Sequence, residues 1–253
     1  MMLQTIFRIV LLLVVSLTIS TCSEEAKPRL CLFVGLDISG SFIKSKYFDD
    51  SIDFMAHYLY AHLNGLEDFE VPAALFVSSI GGAKENEPKT FFPIQTFANK
   101  SVNEIAGKLR EIFPKHTVNP FTDFNAFFEQ VALTVRNKNL VLRPISIVMI
   151  SDGIPDVKVG GQTDFSSIDV RPLESLSRNV TIRLLYTSAV TGKDWQTKVK
   201  RRRVKIWTQD AEVMQSWRES HILLPDRPFE EQERLFAWIK DNVDFGVRAR
   251  RVD

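Results

Sequence analysis

The chain has 253 residues, 45% of them apolar and 25% charged. This is an ordinary globular composition with enough chain to bury a substantial core, and it excludes an intrinsically disordered polypeptide. Lys plus Arg total 32 against 31 Asp plus Glu, so the basic surplus that nucleic-acid binding usually needs is missing.

The amino terminus stands apart. Arg8 is the only charge before Glu24, and residues 9–19 are an almost unbroken apolar run. That run is too short for a membrane-spanning helix and has the length and flanks of a signal-peptide hydrophobic region. Residues 1–21 are therefore expected to be a signal peptide and 22–28 a linker, with a buried first helix as the plain alternative. Ile19-Ser20-Thr21-Cys22-Ser23 resembles the lipobox of bacterial lipoproteins, although Thr21 departs from the residue usual before the cysteine. The resemblance implies lipidation of Cys22 and an envelope protein anchored in the outer membrane or facing the periplasm. Cleavage near Thr21 without acylation gives a secreted protein instead. The second cysteine, Cys31, lies in a strand pattern and is expected to be a buried free thiol.

From Arg29 onward strands and helices alternate. Residues 30–36 are continuously apolar, the pattern of a strand covered on both faces. A turn, Asp37-Ile38-Ser39-Gly40-Ser41, follows, and Phe48, Ile52, Met55, Leu59 and Leu63 then recur at helical spacing, predicting a helix over 44–64. A second strand is expected over 71–80, closed by Gly81-Gly82, then a loop over 84–89 and an edge strand over 90–97 broken by Pro93. Ser101 and Glu104 form a capping box for a helix over 101–113. After a loop over 115–121, a helix is expected over 122–137, and a buried strand over 145–150 runs into Ser151-Asp152-Gly153. Strands over 180–186 and 204–207 and helices over 212–219 and 231–243 complete the pattern.

Uniformly apolar strands alternating with helices predict an α/β fold. The expected architecture is a Rossmann-like, doubly wound, mostly parallel central sheet with one antiparallel edge strand and helices on both faces. Ligands in such folds sit at the carboxyl edge of the strands, where the Asp37 and Asp152 loops both fall.

Asp37-Ile38-Ser39-Gly40-Ser41 directly after a buried strand is a weak signal alone. It gains weight from Thr122, at a predicted helix start and followed by Asp123, and from Asp152-Gly153 after another buried strand. Together these resemble the metal ion-dependent adhesion site (MIDAS) of the von Willebrand factor A (vWA) family. The resemblance spans about 29–220 and leaves 221–253 as a C-terminal helical extension of the same domain. It implies one divalent ion, Mg²⁺ ahead of Mn²⁺ or Ca²⁺. Ser39 and Ser41 would ligate it through their hydroxyls, Thr122 directly or through water, and Asp37 and Asp152 through the ion's waters. It also implies a protein partner that offers an Asp or Glu carboxylate to the metal.

The chemistry agrees. Mg²⁺ prefers six oxygen ligands and keeps several waters, and hydroxyls with few direct carboxylates leave the ion electrophilic. Gly40 permits a tight turn between the serines. The family often has Gly before the threonine, where this chain has Phe121, an aromatic at the rim of the site. The plain alternative is that Ser39, Ser41 and Thr122 cap helices and Asp152-Gly153 is a turn.

There is no phosphate-binding loop, dinucleotide fingerprint, nucleophile elbow around Ser39 or zinc-protease motif. His57 and His62 fall on the first helix, His116 in a loop and His221 near the end. The basic run Lys198, Lys200, Arg201, Arg202, Arg203 and Lys205 reads first as a solvated turn, and second as a contact for anionic headgroups or an acidic partner. The expected function is a metal-dependent adhesion or assembly module, on the cell envelope or secreted, without catalysis because no general base stands out. A hydrolase using the same ion, and a structural lipoprotein whose metal only fastens loops, are the alternatives.

Overall fold

The computed structural model describes residues 27–82, 88–115 and 121–244. The predicted signal peptide, Cys22, His116 and the last nine residues lie outside the described residues. Strand β1 (Cys31–Leu36) leads through a single helical turn, α1 (Gly40–Ile43), to the long helix α2 (Phe48–Asn64). Next come β2 (Ala74–Ser79), the two-residue β3 (Gly81–Gly82) and β4 (Phe92–Pro93). Helix α3 (Val102–Ile112), β5 (Phe121–Thr122) and α4 (Phe124–Asn137) follow. Strand β6 (Ile145–Ile150) precedes a small hairpin, β7 (Lys158–Val159) and β8 (Gln162–Thr163), and the short α5 (Arg171–Glu174). The remaining elements are β9 (Val180–Thr187), α6 (Ala189–Lys198), β10 (Lys205–Asp210), α7 (Ala211–Gln215) and α8 (Glu233–Asn242).

Among the described residues, six strands form one sheet in the order β10-β9-β6-β1-β2-β4. All neighbours are parallel except β4, which runs antiparallel to β2 at the edge. This is the expected mostly parallel sheet with one antiparallel edge. The chain winds outward from β1 to β2 and β4, returns to β6 beside β1, and continues through β9 to β10. The winding direction thus reverses between β1 and β6, and in open α/β sheets ligands bind outside the carboxyl ends of the strands at such a reversal.

Every residue of β1 and β6 is buried, because helices cover both faces. Alternate residues feed two cores, as the two-residue period of a strand requires. Leu32, Val34 and Leu36 pack with α2 and with Leu235 and Phe236 of α8, whereas Cys31 and Phe33 pack with Phe127 of α4 and Trp195 of α6. A Cβ at Gly35 would come within 2.7 Å of Phe127, so this glycine lets α4 lie close to the sheet. Cys31 is the expected buried free thiol, and burial pushes its pKa up to about 11.

The predicted capping box on α3 is present, with Ser101 accepting from Glu104 N and Glu104 bonding back. Several boundaries differ. The helix predicted from 44 begins at Phe48, because Ser45 Oγ donates to Phe42 O at 2.7 Å and closes the α1 turn first. The 90–97 strand contracts to Phe92–Pro93 and passes into a 3₁₀ turn at Ile94–Thr96. The 212–219 helix breaks into α7 and a 3₁₀ turn at Ser216–Arg218. The helix predicted over 122–137 begins at Phe124, which moves Thr122 out of the helix and into β5. No helix among the described residues is long and apolar enough to cross a membrane.

Candidate metal centre

Asp37 and Ser151 are the first residues beyond β1 and β6, the two strands at the reversal point. The strands are in register to their ends, Leu36 opposite Ile150, and Asp37 N donates to Ile150 O at 2.9 Å. The two side chains therefore meet: Ser151 Oγ donates to Asp37 Oδ2 at 2.6 Å. The other carboxylate oxygen, Oδ1, accepts from Ser39 N at 2.8 Å. Asp37 is fully buried, and its pKa is pushed up to about 6. Burial is the main cause; the Ser151 hydrogen bond opposes it and the Asp152 charge adds to it. No Lys, Arg or His among the described residues pairs with this carboxylate.

Ser39 occupies the N-cap position of α1 but its side chain makes no capping bond. Its Oγ lies 3.2 Å from Ser41 Oγ instead. Two oxygens bound cis on an octahedral Mg²⁺ would be about 2.9 Å apart, given Mg–O distances of roughly 2.0–2.1 Å. The serine pair therefore already has nearly the spacing of two adjacent ligands. Burial falls outward along the loop, from the enclosed Asp37 through Ser39 to the exposed Ser41.

Thr122 arrives from a separate element. Strand β5 pairs antiparallel with β3, Thr122 opposite Gly81 and Phe121 opposite Gly82. A Cβ at Gly81 would lie 2.4 Å from Phe121 O and 3.6 Å from Ser39 N, so Gly81 is wedged between the serine loop and β5. Lys89 Nζ donates to Gly81 O at 3.1 Å and holds this wedge from the other side. Thr122 does not cap α4; Asp123 does, accepting from Ala126 N at 2.9 Å. The Thr122 amide donates to the Asp156 carboxylate.

Asp152 is half-buried, and its Oδ1 accepts from Ile154 N at 3.1 Å. The following turn is fixed by Gly153, whose φ of +77° favours glycine. Gly153 O accepts from Trp195 Nε1 at 2.7 Å. Asp156 has its pKa raised, chiefly by burial, with the Thr122 hydrogen bond opposing and the Asp152 and Asp123 charges adding. Four carboxylates, Asp37, Asp123, Asp152 and Asp156, thus gather at one end of the sheet. Among the described residues no group of three or more His, Cys, Asp or Glu forms a metal cage by itself, so a cation here depends on the hydroxyls. The donor set suits a hard divalent cation: oxygen only, hydroxyls already paired at ligand spacing, and surplus negative charge behind them.

Hydrogen bonds link Asp37, Ser39 and Ser41, and Thr122 and Asp152 lie in the neighbouring segments at the same carboxyl edge, on a sheet with the expected order and one antiparallel edge. The chain has a von Willebrand factor A-like fold.

No protein-family model matches the chain, and no curated protein does. Among solved structures the vWA-like domain is similar to proximal thread matrix protein 1 from the mussel byssus, in a structure with a zinc-occupied MIDAS motif. The identity is 12% and the TM-score 0.43, covering 83% of this chain and 46% of that one. It is also similar to the SpRpn10 VWA domain (14% identity, TM-score 0.41, 72% of this chain and 88% of that one). Manganese-loaded TRAP protein of Plasmodium vivax matches at 11% identity and TM-score 0.44, over 73% and 70% of the two chains. The chain spans less than half the length of the mussel protein it matches.

Three residues of the candidate site went unread in the sequence. Ser151 stood in plain view beside Asp152 at a strand end. Gly81 was legible only as the close of a strand. Asp156 carried no local signal, because its partner Thr122 is 34 positions away.

Proposed function

We propose that this vWA-like domain is a divalent-metal-dependent protein-binding module that captures an acidic side chain of a partner. The observation that carries the reading is the buried Asp37, without a cationic partner among the described residues, set behind a serine pair 3.2 Å apart at the reversal point of the sheet. Ser39, Ser41 and Thr122 would hold the ion through their hydroxyls, and Asp37 and Asp152 through its waters. Mg²⁺ is the first candidate, with Mn²⁺ and Ca²⁺ next. The bound cation would supply a Lewis-acidic position open to an incoming carboxylate.

The chain's own residues prepare that position. Ser151 and the Ser39 amide fix both oxygens of Asp37, so the carboxylate is oriented before any ion arrives. Asp156 clamps the Thr122 amide and so fixes the backbone that carries the Thr122 hydroxyl. Phe121, Ile154 and Val157 are exposed by 38%, 44% and 48%, an apolar rim for residues flanking the partner's acidic side chain.

Binding is favoured over hydrolysis because the described histidines are engaged elsewhere. His57 packs on Trp217 and Phe229, His62 bonds Asp244, and His221 pairs with Glu219. A purely structural ion is disfavoured because the Asp37, Ser39 and Ser151 hydrogen bonds fasten these loops without one. The proposed location is the cell envelope, through acylation of Cys22, or the medium after secretion.

The test is calorimetric titration of Mg²⁺ into the full chain and into a chain with Asp37→Ala and Ser39→Ala. One ion bound by the first and none by the second is expected. Equal binding by both would remove the metal site and the reading with it.

A further inference from the structure

The metal face is one edge of the sheet, and the opposite edge has a distinct chemistry. Strands β6, β9 and β10 start from the loops 138–144, 175–179 and 199–204, which lie side by side at the amino edge. These loops contain seven Lys and Arg and no Asp or Glu. Lys138, Arg178, Lys200, Arg202 and Arg203 are exposed, while Arg201 is tied to the carbonyls of Gln196 and Val199. Glu174 is an opposing charge beside them, its carboxylate accepting from the Arg202 and Arg203 amides. The acidic loop with Glu67, Asp68 and Glu70 precedes β2, two strands beyond β6. Within the amino edge, basic charge is therefore concentrated below β6–β10 and acidic charge below β2.

A second, independent feature sits inside the basic edge. Leu142 is 75% exposed, the most exposed large apolar side chain among the described residues, and its neighbour Val141 is 41% exposed. Leu142 has a φ of +70°, a conformation that a leucine adopts only when its surroundings impose it. Its amide donates to Leu176 O at 2.8 Å, which stitches the 138–144 loop to the 175–179 loop and holds the Leu142 side chain out. Exposed apolar residues ringed by basic ones fit the interface of an anionic bilayer, which attracts each basic residue and accepts the apolar tip.

We propose that the amino edge of the sheet docks on an anionic phospholipid surface, with Val141 and Leu142 entering the headgroup region and Lys138, Arg178, Lys200, Arg202 and Arg203 facing the lipid phosphates. Residues 27–30 enter β1 from this same edge, so whatever precedes them joins the domain on its membrane side. Six residues of strand separate the two edges, about 20 Å. The metal site then faces away from the bilayer, open to a partner. The inference stands on charge and exposure and does not depend on a bound metal.

The experiment uses the full chain with Cys22→Ser, to exclude any acyl group, and Leu142→Cys labelled with an environment-sensitive dye. Cys31 is buried and leaves the label specific. Vesicles of phosphatidylcholine alone, or mixed with phosphatidylglycerol, are added at low and high salt. A blue shift with the anionic vesicles alone, suppressed by salt, is expected. Adding Lys200→Ser, Arg202→Ser and Arg203→Ser should lower the partition coefficient on the order of a hundredfold, about fivefold per residue, and move the dye back to its aqueous emission. Lys44→Ser with Lys46→Ser, at the other edge, should change nothing. No shift with anionic vesicles, or the same shift in the triple variant, overturns the proposal. So does a shift produced by heparin or an oligonucleotide and not by vesicles, which would make the edge a polyanion site.

Discussion

Asp37 is placed where a carboxylate is poorly solvated, and both of its oxygens accept hydrogen bonds from uncharged donors. Burial raises its pKa from 3.8 to about 6. A carboxyl whose folded pKa lies above its unfolded value holds its proton more tightly in the folded chain. Its contribution to stability is therefore full below pH 3.8 and is lost as pH rises through about 6. At pH 7 the metal-free protein carries a destabilising charge on the order of 3 kcal/mol, taking about 1.4 kcal/mol per pKa unit. Asp37→Asn keeps the shape and an acceptor for the Ser39 amide while removing that charge. In chelator at pH 7 the variant should melt several degrees above the wild type, and the difference should shrink as pH falls toward 4. Saturating Mg²⁺ should raise the wild-type melting temperature and leave the variant unmoved. A variant that melts lower than wild type in chelator would show that Asp37 is not a frustrated charge.

The elements that bring the site together differ in how they arise. Strands β1 and β6 and the loops after them were legible, because an uninterrupted apolar run followed by a polar turn has few other uses in an α/β chain. The β3–β5 ladder was not. It has two residues on each side, paired across 41 and 39 positions, too short for any periodicity to appear. Thr122 and Asp123 are both capping residue types, and the sequence reading began the helix two positions early, at Thr122; Asp123 takes the cap and leaves the Thr122 side chain out of it. The pairing leans on Gly81, since any Cβ there would meet Phe121 O at 2.4 Å. Gly81→Ala should push β5 away from the serine loop at a cost of about 1–3 kcal/mol, typical of overpacking. Because the displacement falls on Thr122, Mg²⁺ affinity should drop at least tenfold while most of the fold persists. Calorimetry alongside circular dichroism reads both. Unchanged affinity would mean that Thr122 does not belong to the ion's ligand set.

Across the whole molecule the carboxyl-terminal helix is locked to the sheet by ionised groups that the sequence did not reveal. Arg183 is the one charged residue of β9; it is 3% exposed and donates to Val243 O at 2.9 Å and Ser146 Oγ at 2.7 Å. Its charge partner is Asp244, Nε to Oδ1 at 3.4 Å, which also accepts from Tyr58 Oη at 3.1 Å and bonds His62 Nε2 at 3.3 Å. Burial alone would raise the Asp244 pKa, but the His62 hydrogen bond and the Arg183 charge outweigh it and hold the carboxyl below its usual range. This contribution is therefore present above pH 3.8 and lost as pH falls through the lowered pKa, opposite in sense to Asp37. Asp244→Ala removes one partner of a buried pair and leaves Arg183 uncompensated, which costs about 3–5 kcal/mol. In a domain of this size that is a fall of roughly 10 °C in melting temperature. Ser146 in β6 and Ser151 just beyond it are five residues apart, about 16 Å, so the lock and the candidate metal site share the sheet without touching. Mg²⁺ affinity of the folded Asp244→Ala protein should stay within about threefold of wild type, as expected for sites this far apart. If melting is unchanged, Val243 and Ser146 satisfy Arg183 unaided; if affinity collapses with stability, the two ends of the sheet are mechanically coupled and the helix, not the loops alone, sets the metal site.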